Sequence, residues 1–166
     1  RARPRARAEP VFHPSSMFSR PVSEIPVLIR RLEHYPADWP LPDYATPGSA
    51  AVDLRNAGPS LTLEPLERVL VPTGLSLALP PDAEAQLRLA YRRGIGIPNS
   101  PCTIDSDYRG EIRIPLINFD PEPQTIEHGE RIAQLLVARV LRIRWAPTDV
   151  LPETLRGEGG FGSTGR

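Results

Sequence analysis

The chain contains no lysine, so its twenty basic residues are all arginine, balanced by twenty Asp and Glu. The resulting net charge of zero argues against a broad electrostatic footprint for nucleic acid. Any anion must therefore be held by a local pocket. Arginine suits bidentate phosphate contacts, although the total lack of lysine reads as genome-wide codon bias. The single cysteine, Cys102, excludes an intrachain disulfide and fits a reducing, cytoplasmic compartment. No apolar run approaches the roughly 18 residues a membrane-spanning helix needs, so no membrane association is expected. The three histidines, His13, His34 and His128, lack ligand spacing, which disfavours a His-based metal site.

What is present fits one domain. The chain has 166 residues, 40% hydrophobic, enough for a single core and too few for two ordinary ones. Twenty-one prolines disfavour long helices. Residues 1–23 are rich in Arg, Pro and Ser and read as a disordered or tag-derived extension. The residues before Met17, the sole methionine, are open to reading as tag remnant, mis-called leader, upstream translation or transit peptide.

From Ile25 onward, short apolar runs alternate with turn signals. They are Ile25–Ile29, Ala51–Leu54, Leu61–Leu63, Arg68–Val71, Leu75–Leu79 and Ala85–Leu89. Later come Gly94–Ile97, Ile112–Ile117 and the longer run Arg131–Leu141. In the last run Val137, Arg139, Leu141, Ile143 and Trp145 share one parity, which suits a strand partly buried on both faces. Many short strands without a long helix predict an all-β barrel or double-sheet jelly roll. The expected division is a β domain over 24–150 and a Gly-rich arm over 151–166.

The stretch Pro98–Glu111 separates two of these strands and reads as the wide tip of a β-hairpin. It carries an amide (Asn99), two carboxylates (Asp105, Asp107), a phenol (Tyr108) and a guanidinium (Arg109). Residue types alone leave a solvated polar turn and a working loop equally open. The tail from Arg156 to Arg166 combines glycines with Arg156, Phe161, Ser163 and Thr164. Such parts can cradle phosphate and stack on a base, though flexible Gly-rich tails are common.

The order Asn99-Ser-Pro-x-Thr-Ile-Asp105-x-Asp-Tyr108-Arg-Gly-Glu111 closely resembles the third motif of the trimeric dUTP diphosphatases (dUTPases). Ala51–Ala57 is similar to their first motif, Gly129–Leu135 to the fourth and Arg156–Arg166 to the fifth. The resemblance implies a jelly-roll-like β-barrel, a homotrimer with shared sites, and hydrolysis of dUTP to dUMP and diphosphate. That reaction limits uracil incorporation into DNA and supplies dUMP for thymidylate synthesis.

Roles carry over residue by residue. Asp105 would be the general base for a water attacking the α-phosphorus. Asn99 would read the uracil edge and Tyr108 would pack beneath the deoxyribose. Asp53 would hold Mg²⁺ through its water shell, and Gln134 would contact the α-phosphate. The tail would close as a lid, Arg156 and Phe161 over the base, Gly162, Ser163 and Thr164 on the outer phosphates. For Asp107, Arg109 and Glu111, turn and interface ion pairs are the preferred reading.

The second motif departs. Arg88 runs straight into Leu89, with a gap equivalent to Pro-Arg-Ser-Gly of the family, where a turn opens a short helix. Arg88 is the candidate to replace the lost arginine, and nothing replaces the serine. Two explanations are open: four residues are missing from the sequence as written, or the deletion is real and leaves a catalytically impaired nucleotide-binding protein of the same fold. The related dCTP deaminase is less well matched by the third and fifth motifs. Cys102 stands where the family usually has glycine, a strain of about 1 kcal/mol if that position needs a positive φ.

Overall fold

Ten strands and no helix make up the described chain, and the computed structural model describes residues 23–90 and 94–160. The strands are β1 (Leu28–Arg31), β2 (Val52–Arg55), β3 (Leu61–Leu63), β4 (Arg68–Ala78) and β5 (Ala83–Leu89). They continue as β6 (Ile95–Gly96), β7 (Cys102–Ile104), β8 (Glu111–Asn118), β9 (Gln124–Ile126) and β10 (Arg131–Arg139). One four-stranded sheet has the order β1-β4-β8-β6 and the other β2-β10-β5-β7; β3 and β9 form a two-stranded ribbon. Every pairing is antiparallel.

Alternation explains which faces meet. Val71, Thr73, Leu75 and Leu77 of β4 point inward, as do Ile112, Ile114 and Leu116 of β8. From the other sheet come Leu54, Ala85, Leu87, Ile132 and Ala133, and the two sets form one core. Each fully buried Leu or Ile contributes about 1.5–3 kcal/mol of burial free energy. The all-β double-sheet expectation holds.

Four local expectations change. The first strand starts at Leu28 rather than Ile25. The runs Arg68–Val71 and Leu75–Leu79 are one strand, β4, broken only in register between Pro72 and Ser76. The strand expected to reach Trp145 ends at Arg139. Its partner β5 begins at Ala83, preceded by Pro80 and Pro81, which have no N–H to extend a ladder. Val140 N–H makes the last contact, to the Asp82 carbonyl at 2.9 Å. Cys102 lies in β7 opposite Leu87, and the single described non-glycine residue with positive φ is Leu66, so the suspected strain at Cys102 is absent.

Candidate active site

The tip between β6 and β8 is more than a hairpin loop. β6 and β8 pair as expected, with Ile95 opposite Asn118. Between them β7 leaves that sheet and joins β5 in the other, with Ile104 opposite Ala85. Asp105 follows at once, and a turn closes from Tyr108 N–H to the Asp105 carbonyl at 3.1 Å. Tyr108 folds back over Gly110, where a side chain would collide with its ring, and donates to the Glu111 carbonyl at 2.9 Å. Arg109 donates to the Ser106 and Tyr108 carbonyls within the same turn. Asp105, Tyr108 and Asn99 are all exposed, aimed away from the core.

A second group forms on the adjoining sheet. β10 lies between β2 and β5, which puts Gln134 opposite Asp53 on one side and Arg88 on the other. Gln134 Nε2 donates to Asp53 Oδ1 at 3.1 Å. Arg131 donates to the other oxygen, Oδ2, at 3.3 Å. Arg88 is exposed and donates to Gln86 Oε1 at 3.1 Å. Three expected residues, Asp53, Gln134 and Arg88, thus share one ladder.

Arg131 is the residue sequence reasoning missed. It lies within the fourth motif, Gly129–Leu135, where nothing in its spacing marks it. On a regular strand, positions 131 and 134 face opposite ways. A register shift between Arg131 and Ala133 turns both onto the Asp53 carboxylate. Beside this group opens a cleft of about 340 Å³ whose walls include Tyr35, Trp39, Asp53, Arg55 and Arg131. Tyr35 and Trp39 meet edge to face, and Arg55 lies 5.7 Å over the Trp39 ring. Burial pushes the Tyr35 hydroxyl up from its ordinary pKa, opposed by Arg31 and Arg55.

The two groups do not meet within one chain. Ala85 and Arg88 are three residues apart on β5, about 10 Å along a strand. Asp105 lies past Ala85, and the Asp53–Gln134 contact lies level with Arg88. In the tail, Arg156 Nε donates to the Gly159 carbonyl at 2.6 Å. Phe161, Gly162, Ser163 and Thr164 lie outside the described residues.

The profile of the dUTPase family matches residues 37–165, and so runs through both groups. The chain belongs to the dUTPase family. It is 56% identical over 144 residues to a deoxyuridine 5′-triphosphate nucleotidohydrolase of Methylocella silvestris, covering 82% of this chain and 89% of that one. Among solved structures, a point mutant of the Staphylococcus bacteriophage 80alpha dUTPase with dUpNHpp gives a TM-score of 0.73 at 21% identity. That match covers 85% of this chain and 99% of the phage protein. A mutant dUTPase from phage phi11 of S. aureus, described with a structural Mg(II) ion, gives 0.66 at 17% identity. It covers 78% of this chain and 100% of its own. At these identities the likeness shows the shared fold.

Proposed function

We propose that this chain hydrolyses dUTP to dUMP and diphosphate. The carrying observation is that the ladder joining Asp53, Gln134 and Arg88 falls inside a family match shared with a nucleotidohydrolase at 56% identity. Asp105 is the general base, its exposed carboxylate free of the core and able to meet an attacking water. Asn99 reads the uracil edge and Tyr108 packs beneath the deoxyribose. Gln134, held by Asp53, presents its amide to the α-phosphate. Arg156, with Phe161, Gly162, Ser163 and Thr164, closes over the bound nucleotide.

Mg²⁺ is the proposed cofactor, and the donor set fits it. Among the described residues no three acidic, His or Cys side chains gather into a cage. A lone carboxylate such as Asp53 suits an ion gripped by phosphates that keeps its water shell. When bound, the ion supplies neutralising charge to the triphosphate. Asp53 itself stays oriented by Gln134 and Arg131.

We further propose a homotrimer with shared sites. The separation of Asp105 from the Asp53–Gln134 group along β5 supports assembly of each site from more than one copy. So does the arm after Arg139, whose Leu141, Ile143, Trp145, Leu151 and Leu155 are exposed in the single chain. Apolar surface of that extent calls for cover.

A second reading follows from the Arg88–Leu89 junction. β5 continues to Leu89, and the described residues around the junction contain no helix. If no substitute binds phosphate there, the protein holds nucleotide without turning it over. Diphosphate release from dUTP, on a sample whose intact mass is known, separates the readings. Release supports the diphosphatase; tight dUTP binding without release supports the impaired protein; ammonia from dCTP would move the chain to the deaminase branch. Light scattering should give three chains, and a monomer would break the shared-site proposal.

A further inference from the structure

Glu111 is the residue on which the tip of the β6–β8 hairpin is hung. Its side chain is 9% exposed, a burial a carboxylate tolerates only when it is paired. One oxygen, Oε1, accepts from Gly74 N–H at 2.9 Å and meets His34 Nε2 at 2.7 Å. The other, Oε2, accepts from Arg113 Nε at 2.9 Å. These partners come from three places: the β4 irregularity, the turn after β1, and β8 itself.

The Gly74 contact follows from register. β4 and β8 pair regularly from Arg68 to Pro72 and resume at Ser76 opposite Glu111, so Gly74 N–H has no ladder partner. The Glu111 carboxylate takes it. Gly74 has φ +68°, and a side chain there would press on Tyr35 at 3.0 Å, so the kink requires glycine. Thr73 reinforces it, donating to the Ile112 carbonyl at 2.6 Å.

The same residue's main chain holds the tip. The Glu111 carbonyl accepts the Tyr108 hydroxyl, and Tyr108 N–H closes the turn onto Asp105. We propose that Glu111 is a positioning residue, whose buried carboxylate fixes the stem from which Tyr108, and with it Asp105, is presented to the nucleotide. The inference rests on the reading that Tyr108 packs against the sugar.

The test compares dUTP with UTP in Glu111→Gln, Tyr108→Phe and the double variant. Glu111→Gln should lower the kcat/KM preference for dUTP about tenfold, the scale of one lost hydrogen-bonded anchor. The loss should appear in KM for dUTP through Tyr108 and in kcat through Asp105. Tyr108→Phe should lose a similar factor, and the double variant no more, because both act through one contact. Thr73→Val, which weakens the same kink without touching Glu111, should lower the thermal midpoint and leave the preference unchanged. A Glu111→Gln enzyme with wild-type preference would overturn the proposal, whatever its stability. If Glu111→Gln does not fold, His34→Ala keeps the carboxylate but removes a partner, and an unmoved preference there overturns it equally. Wild-type protein that releases no diphosphate would sink the functional reading instead. The ring signal of Tyr108 by NMR, assigned through Tyr108→Phe, then decides: it should shift in ligand-free Glu111→Gln, and an unshifted signal rejects positioning.

Discussion

Arg131 and Gln134 are three residues apart on β10, yet both side chains reach the carboxylate of Asp53. A bulge between Arg131 and Ala133 makes this possible by returning the two positions to one face. Asp53 is thereby oriented before any ligand arrives.

Asp53→Ala should cut dUTP turnover at least tenfold while changing stability by less than about 1 kcal/mol, since partly exposed ion pairs contribute little. Gln134→Ala should raise KM in the same sense. Steady-state diphosphate release and thermal melting on the same samples check both. A large loss of stability in Asp53→Ala would make its contacts architectural.

Asn118 tests the scaffold. Its fully buried amide donates to the carbonyls of Leu63 and Glu122, and its oxygen accepts Asp120 N–H. Asn118→Ala leaves those groups unpaired and should cost roughly 3 kcal/mol. Denaturant titration would measure it, and a cost under half that figure would mean the corner relaxes around the loss.

Acid should act through Glu111. Burial works to raise its pKa, but hydrogen bonds from Gly74, His34 and Arg113 outweigh burial and hold it below its ordinary value of 4.5. A depressed folded pKa stabilises the fold above the unfolded value, and that contribution disappears as pH falls through the folded one. The gap in thermal midpoint between wild type and Glu111→Gln should therefore be full above about pH 5 and narrow below about pH 4. A gap that stays constant down to about pH 3 would contradict the assignment.

The arm gives a fourth expectation. Residues 141–155 carry exposed apolar side chains and form no strand, and the Gly-rich end follows them. Ending the chain after Leu155 should greatly reduce turnover while leaving the melting transition nearly unchanged. A truncated protein with full activity would remove Arg156 and the residues after it from the lid role.

The all-β architecture and most strands were legible in the sequence, because alternation along a strand is local: Ile112, Ile114 and Leu116 advertise an inward face by spacing alone. Motif order likewise named Asp53, Asp105, Tyr108 and Gln134. Tertiary structure decided what depends on register. It took β7 from its own hairpin to pair with β5, gave Cys102 an ordinary strand conformation, and brought Arg131 beside Gln134. It also set Asp105 and Asp53 toward different ends of β5 and lodged the Glu111 carboxylate against Gly74. Spacing records which face a residue takes on a regular strand. Bulges and long-range partners arise only when distant strands compete for the same backbone hydrogen bonds.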